Sequence, residues 1–391
     1  MKAVFLEEPG ELVVNDVPTP ACEAGMVRVR IEAVGVCEDD LSAFLGNTEY
    51  QRYPIVPGRD ATGVVVETND EPAASDGNGG DGGSCDWNQD NGNSGDGDEG
   101  NSGDGHILSF AAARSGKLEV GDRVVLLPKR IRTEADCLQC DERSRYDHMS
   151  QLGFNVDGAL REFAVVPREQ CVVLPGEISS REGIFLQSVC RAVSAIKTGG
   201  VEEFDTVVII GAGDVGIIAA QAAVHEGARP IIVDPSEPRL QLARSLGIPH
   251  TVNPFACFAA EEVEWITSGD MADVVVDTTG DANALGGCFQ FAGQGGKVIL
   301  TRTPRVQAKA DLRYIIEREL SVHTSRTNIC DTGTALNMLV HGQIRVDSLV
   351  STTLPLEAAP FIIPSIAENP DHYLRVVLEA GNGSIYSDSK S

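Results

Sequence analysis

Apolar and polar positions alternate in short runs through the first part of the chain, up to about Val66. Runs at 3–6, 26–34 and 61–67 are bounded by turn residues, and a similar run follows at 122–127. Strict alternation with turn residues between the runs is typical of half-buried antiparallel strands. The pattern therefore predicts a β-rich N-terminal domain.

From Asp205 onward the pattern changes to uninterrupted apolar runs separated by helical periodicity. This alternation is typical of βαβ units, whose strands form a parallel sheet with helices on its faces. The predicted strands are 206–210, 230–234, 273–277 and 297–301, and the predicted helices are 215–226 and 238–246.

Residues 68–105 separate two of the early strands and have a different composition. They contain 11 glycines and ten acidic residues but no lysine or arginine. A segment with so few apolar side chains cannot bury enough surface to offset the entropy of ordering. We interpret it as an acidic, glycine-rich surface insertion.

The charge of the chain restricts its expected partners more than its expected fold. The chain has 31 basic and 58 acidic residues, a formal net charge of −27, and only seven of the basic residues are lysine. Such a surface repels nucleic acids and anionic membranes, and its arginine-retaining acidity suggests an organism with high internal salt. The early residues show no signal-peptide pattern, no apolar run approaches the roughly 20 residues of a membrane helix, and the cysteines are scattered, so we expect a cytoplasmic protein.

A glycine pattern lies between the strand at 206–210 and the helix that follows. It reads Gly211-Ala-Gly213-Asp214-Val215-Gly216. In this context the first glycine permits a tight turn, the second lets the backbone approach a pyrophosphate, and the third lets the helix pack on the strand. The diphosphate of a dinucleotide would lie at the positive end of the helix.

Asp234 ends the next strand, eighteen residues after Gly216. A carboxylate at this place can accept hydrogen bonds from ribose hydroxyls and repels a 2′-phosphate. Pro235 and Ser236 supply no basic group, so NAD is favoured, while Arg239 leaves NADP open.

Several short motifs together resemble the medium-chain dehydrogenase/reductase superfamily, in particular its zinc-dependent alcohol and polyol dehydrogenase branch. The resemblance spans nearly the whole chain apart from residues 68–105. Besides the glycine pattern, the motifs are Gly35-Val-Cys37 followed by Asp40-Leu41, Tyr53-Pro-Ile-Val-Pro-Gly58, Val120-Gly-Asp-Arg-Val124, Asp157-Gly-Ala-Leu-Arg-Glu-Phe163, Asp277-Thr-Thr-Gly280 and Gly295-Gly-Lys-Val298.

The resemblance implies an α/β fold in which a GroES-like, β-rich catalytic domain is joined to a Rossmann domain with a doubly wound parallel sheet. Residues 1–175 and a return segment at 319–391 would form the catalytic domain, and 176–318 the Rossmann domain. Substrate would bind in the cleft between the domains. The resemblance also implies a homodimer or homotetramer, formed partly through the Rossmann sheet edge near 297–301. Thr278, Thr279, Leu300 and Thr301 would lie at strand ends near the nicotinamide.

The positions that hold the catalytic metal in this family have changed. Cys37 matches, but the usual histidine and glutamate are Arg59 and Asp60, and the further acid falls on Gln187. Arginine is permanently charged and has no lone pair for a cation, so a catalytic zinc is not expected here. Our sharper hypothesis is that the Arg59 guanidinium takes the place of the metal, oriented by Asp60; the alternative is a structural Arg59–Asp60 ion pair. Asp39, Asp40 and Tyr53 are candidate proton carriers.

A second metal site is implied by the family's structural lobe. The four matching positions keep the spacing but hold different residues, namely Glu134, Cys137, Cys140 and His148. Each of these side chains can bind zinc. A structural zinc and a lobe without metal are both open.

The function expected from these features is NAD-linked hydride transfer between nicotinamide and a small alcohol or carbonyl substrate. Two alternatives remain. One is a catalytically silent NAD-binding sensor or subunit of a complex, and the other is metal-free reduction of an enone or quinone.

Overall fold

The computed structural model describes residues 1–48, 51–69, 118–128, 150–304, 306–327 and 331–381. All but two residues of the predicted insertion at 68–105 lie outside these ranges, as do Glu134, Cys137, Cys140 and His148 of the predicted structural zinc site. Within the ranges, every helix is too short or too polar to cross a bilayer.

The described residues form strands and helices in the following order along the chain. The strands are β1 (Lys2–Glu8), β2 (Glu11–Asp16), β3 (Met26–Val36), β4 (Asp60–Thr68), β5 (Arg123–Leu126), β6 (Phe163–Pro167), β7 (Cys171–Val173), β8 (Thr206–Ile210), β9 (Arg229–Val233), β10 (His250–Val252), β11 (Ala272–Asp277), β12 (Ala292–Leu300), β13 (Ser321–Thr324), β14 (Val350–Pro355) and β15 (Arg375–Glu379). The helices are α1 (Glu38–Phe44), α2 (Ser180–Gly183), α3 (Leu186–Gly199), α4 (Asp214–His225), α5 (Glu237–Ser245), α6 (Ala259–Ile266), α7 (Ala282–Gly287), α8 (Leu312–Glu317), α9 (Thr332–Val340) and α10 (Ala359–Glu368).

The catalytic domain is built around β3, the longest of these strands. The sheet runs in the order β14-β15-β3-β4-β5-β7, and β6 also pairs with β3. Side chains of β3 alternate between half-buried and buried up to residue 33, as the sequence pattern predicted, and the last residues of the strand are all buried. Leu378 of β15 lies opposite Val34 of β3, so the C-terminal part of the chain returns to complete this sheet.

The second domain contains a parallel six-stranded sheet in the order β10-β9-β8-β11-β12-β13. Successive residues of β8 are all buried but point to opposite faces: Val207 and Ile209 join one apolar core, and Val208 and Ile210 join the other. Burial on both faces explains the uninterrupted apolar run. The predicted doubly wound parallel sheet is confirmed.

Two details differ from the expectation at the edge of this sheet. The predicted edge at 297–301 belongs to β12, which is an inner strand, because β13 pairs with it on the outer side. The Rossmann sheet therefore continues to Thr324, past residue 318. The short run 321–324 has no uninterrupted apolar character, since all four of its residues are exposed, and this explains why the sequence pattern did not reveal it.

Candidate active site

The glycine loop between β8 and α4 has the geometry that a dinucleotide requires. Gly211 has φ +100, and a Cβ at Gly216 would lie 1.9 Å from the carbonyl oxygen of Gly211, so neither position accepts a larger residue without rearrangement. At Gly213 a Cβ would meet no atom within 4 Å. The open side of the loop is thus at Gly213, next to the start of α4, where backbone N–H groups point outward.

Asp234 follows β9 and faces this loop. Its Oδ2 accepts a hydrogen bond from the Ala212 N–H at 2.6 Å, and its Oδ1 accepts one from Ser236 N–H at 2.7 Å. Asp234, the acid that we expect to face the ribose, is therefore held against the glycine loop by these two backbone N–H groups. Each carboxylate oxygen has a second lone pair, so the capacity to accept from a ribose hydroxyl remains.

The carboxyl ends of β11 and β12 lie beside the glycine loop. Thr278 Oγ1 donates to the Ile210 carbonyl at 2.8 Å, and Thr301 Oγ1 donates to the Asp277 carbonyl at 2.9 Å. Thr279 donates from both its N–H and its hydroxyl to Asp277 Oδ1, and Leu300 is the last residue of β12. These bonds hold the strand ends in a row along the edge where parallel sheets bind ligands.

Cys37 caps the start of α1, and Asp40 ties it to the neighbouring loop. Asp40 Oδ2 accepts from the Cys37 N–H at 3.0 Å and from Cys37 Sγ at 3.1 Å, while Oδ1 accepts from the Gly58 N–H at 2.9 Å. The buried Asp40 carboxylate is thus engaged by three donors. This bonding fixes the position of the loop that carries Arg59, and it makes Asp40 a positioning group more than a free proton carrier.

Arg59 is only 6% exposed and lies in the cleft beside α1. Its Nη1 pairs with Asp39 Oδ2 at 3.0 Å, and its guanidinium lies 5.7 Å from the ring centroid of Phe154. Its Nε is buried and has no hydrogen-bond partner among the described residues. The hypothesis that Asp60 orients Arg59 is wrong, as is the alternative of an Arg59–Asp60 ion pair. Successive residues entering a strand point to opposite sides, and Asp60 therefore faces Arg375.

A buried chain of charged groups connects this cleft to the start of α4. Arg375, at the beginning of β15, donates from Nη1 to Asp60 Oδ2 at 2.7 Å. Its Nη2 contacts Asp214 and donates to Ser188 Oγ at 3.0 Å, and Ser188 Oγ donates to Asp214 Oδ2 at 2.7 Å. The guanidinium also lies over the ring of Phe185, 5.3 Å from its centroid. One arginine thus joins an acid of the catalytic domain to the first residue of the Rossmann helix.

The pKa values of these groups follow from burial and from Arg375. Burial raises the pKa of Asp60 to about 6, although Arg375 opposes the shift. Burial alone would raise the pKa of Asp214, but Arg375 and Ser188 outweigh it and the pKa lies below its ordinary value. Withdrawal from water, with the added effect of Asp40 and Asp60, raises the pKa of Cys37 well above that of a free thiol. Asp214 is therefore ionised well below neutral pH, Asp60 becomes mostly ionised as the pH rises past about 6, and Cys37 is a neutral thiol.

The residues at the family's catalytic metal position do not fit a zinc ion. The Arg59 guanidinium has no lone pair for a cation and the Asp60 carboxylate is already bound to Arg375, so beside Cys37 this position lacks the three N, S or O donors of a catalytic zinc. Gln187 lies in the first turn of α3, half-buried. In the described ranges no three His, Cys, Asp or Glu side chains are grouped as metal ligands.

Three features of the site differ from, or add to, the sequence reasoning. The Tyr53 hydroxyl donates to the Ala43 carbonyl at 2.7 Å, which makes it less suited to carry a proton. Arg375 and Ser188 were missed altogether. The signal for Arg375 was a charge directly before the apolar run 376–378 of β15, because a charged residue is buried in a strand only when it is paired.

Two further arginine contacts join the domains at the mouth of the cleft. Arg302, which follows β12, forms an ion pair with Glu38 of α1. Arg239 of α5 donates from Nη2 to the Pro370 carbonyl at 2.5 Å, in the return segment. Arg239, the basic residue because of which NADP remained an alternative to NAD, is therefore partly engaged by the catalytic domain.

A β-rich domain completed by the C-terminal segment, a doubly wound parallel sheet and a glycine loop facing the cleft between them define a two-domain nucleotide-dependent oxidoreductase. Two family models match this chain: "Alcohol dehydrogenase GroES-like domain" over residues 23–94 and 98–176, and "Zinc-binding dehydrogenase" over residues 215–339. The chain belongs to the zinc-type alcohol dehydrogenase branch of the medium-chain dehydrogenase/reductase superfamily.

Similar proteins match along nearly the whole chain. An uncharacterised zinc-type alcohol dehydrogenase-like protein of Haemophilus influenzae is 27% identical over 376 residues, covering 96% of this chain and 98% of the relative. The L-threonine 3-dehydrogenase of Pyrococcus furiosus is 28% identical and covers 90% of each chain. A short chain alcohol dehydrogenase of Escherichia coli CFT073, solved with NADH, has a TM-score of 0.77 at 21% identity and covers 97% of this chain and 99% of that one. Membership in this family makes the chain an NAD(P)-dependent oxidoreductase of the alcohol dehydrogenase type.

Proposed function

We propose that the protein transfers hydride between C4 of a nicotinamide coenzyme and the carbinol or carbonyl carbon of a small alcohol or ketone, with Arg59 stabilising the alkoxide. The observation that supports this most directly is the buried Arg59 guanidinium, whose Nε has no partner within the described part of the cleft. A buried donor without a partner costs free energy, and a substrate oxygen would remove that cost.

The coenzyme we propose is NAD. Asp234 is held at the end of β9 by Ala212 and Ser236, where its charge would oppose a 2′-phosphate. Gly211, Gly213, Asp214, Val215 and Gly216 would surround the diphosphate, and the strand ends at Thr278, Thr279, Leu300 and Thr301 would approach the nicotinamide.

The chemistry needs two events in the direction of alcohol oxidation. The carbinol carbon gives a hydride to nicotinamide C4, and the hydroxyl gives up its proton, so that a carbonyl and a reduced coenzyme form. Negative charge grows on the substrate oxygen as the hydride leaves. A fixed cation in a cleft of low water content stabilises such charge, because it needs no reorganisation when the charge appears.

Asp39 is the proton acceptor that we propose. Its carboxylate contacts Arg59 at 3.0 Å, and 49% of its side chain is exposed, so it touches both the cation and bulk water. Asp40 and Tyr53 lack such a position, because their polar atoms are engaged by backbone groups. A proton taken up by Asp39 can pass directly to solvent.

The test compares Arg59→Gln with Arg161→Gln. Arg161 is a suitable control, because it also lies in the catalytic domain, faces an acid (Asp157), and has a buried Nε without a described partner. We expect R59Q to lose about 100-fold or more in kcat with ketones, aldehydes or alcohols while binding NADH normally, and R161Q to keep its turnover. Added guanidinium ion should restore part of the activity of an R59A variant.

Three results would contradict this proposal. An unchanged kcat in R59Q would show that Arg59 does not stabilise the alkoxide. Stoichiometric zinc bound through Cys37 in the purified protein would show that a metal ion does so instead. NADH binding without turnover of any substrate in a panel that includes enones and quinones would favour the catalytically silent alternative.

A further inference from the structure

The first residue of α4 carries a negative charge at the place where a coenzyme diphosphate would lie. Asp214 directly follows Gly213, and Gly213 is the open position of the glycine loop. The start of a helix attracts anions through its free N–H groups and its dipole. A dinucleotide would bring two further negative charges to the same point.

The Asp214 carboxylate already occupies donors that a diphosphate would use. Oδ1 accepts from the Val215 N–H at 2.8 Å, which is one of the free N–H groups of the first turn. Oδ2 accepts from Ser188 Oγ at 2.7 Å and contacts Nη2 of Arg375. The Arg375 guanidinium, which lies at this end of α4, is therefore bound to an internal anion.

Asp214 cannot easily be neutralised in this setting. Arg375 is 4% exposed and is shared between Asp214 and Asp60, whereas the Asp214 side chain is 20% exposed. Two carboxylates for one guanidinium leave a net negative charge at the coenzyme end of the chain. The more exposed of the two carboxylates is that of Asp214, the residue next to Gly213.

We propose that Asp214 is an internal competitor of the coenzyme diphosphate: it holds Arg375 and the Val215 N–H in the free protein and must share them when a dinucleotide binds. This rests on the proposed function, since it concerns the coenzyme site of that reaction. Asp214 thereby lowers the affinity for both coenzyme forms and hastens their release. It tunes the affinity for the diphosphate, separately from Asp234, which we propose to face the ribose.

The test is calorimetric titration of the full-length wild-type chain, Asp214→Asn and a control with NADH, ADP-ribose and adenosine. The control is Asp331→Asn: Asp331 is also a buried acid, bound to Ser194 Oγ at 2.6 Å and Lys197 Nζ at 2.7 Å, but it lies at the start of α9. We expect D214N to bind NADH and ADP-ribose about tenfold more tightly, because one repulsive charge at close range is removed. Adenosine, which has no phosphate, should bind all three proteins alike.

Salt provides a second readout that a purely structural role of Asp214 would not change. The advantage of D214N over the wild type for NADH should shrink as KCl is raised, because mobile ions screen the partly exposed carboxylate. If D214N does not fold, D214S removes the same charge with a side chain that still accepts from the Val215 N–H.

The outcomes separate the two proposals. NADH affinity that is unchanged or weaker in both D214N and D214S, with a wild type that binds NADH, overturns the competitor role alone. Tighter binding in these variants together with no turnover by any of the proteins overturns the proposed reaction alone. If no variant binds any dinucleotide, both are wrong.

Discussion

At the scale of single residues, the properties of the site follow from the small number of ion-pair partners that its charged groups have. Arg59 relies on Asp39, and Arg375 serves both Asp60 and Asp214. Burying a charge is tolerable only when a partner and hydrogen bonds replace water. The chain therefore carries an acid in the interior whose protonation is sensitive to pH.

We predict a pH-dependent stability that originates from Asp60. In the unfolded chain an aspartate titrates near ~3.9, and in the folded protein burial raises the pKa of Asp60 to about 6. Between these values the folded state binds more protons than the unfolded state, so this contribution to the free energy of unfolding decreases as pH rises. The loss between pH 5 and pH 7 should be about 1.4 kcal/mol.

Urea unfolding of the wild type and Asp60→Asn at pH 5, 6 and 7 checks this expectation. The amide does not titrate, so the wild type should lose stability relative to D60N as pH increases. A difference that stays constant over these three conditions would show that Asp60 does not bind a proton in this range.

The residue scale is also where sequence reasoning was most limited. The change from the family's metal ligands was visible, because it rests on matching a motif at Cys37 and at Arg59–Asp60. The actual pairing of Arg375 with Asp60 was not visible, because the two residues are 315 positions apart in the chain and meet only because β15 and β4 both pair with β3. A contact of that kind depends on tertiary packing, which local patterns do not encode.

At the scale of elements, the turn from β8 to α4 separates structural glycines from one that faces a ligand. We predict that Gly216→Ala strongly destabilises the domain, since its Cβ would lie 1.9 Å from the Gly211 carbonyl oxygen. Gly213→Ala should leave stability nearly unchanged, because its Cβ meets open space at a negative φ, yet it should weaken NADH binding by narrowing that space.

Thermal unfolding and NADH titration of the two variants distinguish these effects. A G213A protein with wild-type NADH affinity would mean that the diphosphate does not approach the backbone there. Wild-type stability of G216A would require the helix to shift away from β8.

Elements were predicted more completely than the site. The strands at 206–210 and 273–277 and the helix at 215–226 are confirmed to within a residue or two, because burial on both sheet faces leaves a strong apolar signal. The edge strand β13 was not predicted, because its residues are exposed and leave no apolar pattern. An edge strand pairs with another strand on one side only, so its side chains need not be apolar.

At the scale of the whole molecule, β13 is an edge of the six-stranded sheet, and no strand of the described ranges pairs with its outer side. It is the outermost strand, and Val322 in it is 42% exposed, with the exposed Leu312 and Ile316 on nearby α8. An edge with unpaired backbone groups and apolar side chains favours pairing with another chain. We predict a homodimer in which two β13 strands pair about a twofold axis.

Light scattering after size-exclusion chromatography tests this with Val322→Asp and Val120→Asp. Val120 is 65% exposed and lies in the catalytic domain, far along the chain from the sheet edge, so V120D controls for added charge. V322D should be monomeric and V120D should keep the wild-type mass. A wild-type mass for V322D would locate any assembly elsewhere.

Two of the arginine contacts that cross the cleft differ in how far water reaches them. Arg302 and Glu38 have side chains that are 19% and 44% exposed, whereas Arg375 is buried against Asp214. Dissolved ions weaken the contact of the exposed Glu38 most, and they weaken the contact between Arg375 and the partly exposed Asp214 less. In a cell rich in potassium chloride, the Arg302–Glu38 contact would therefore weaken before the Arg375–Asp214 contact does. Product could then leave the cleft while the two domains remain joined.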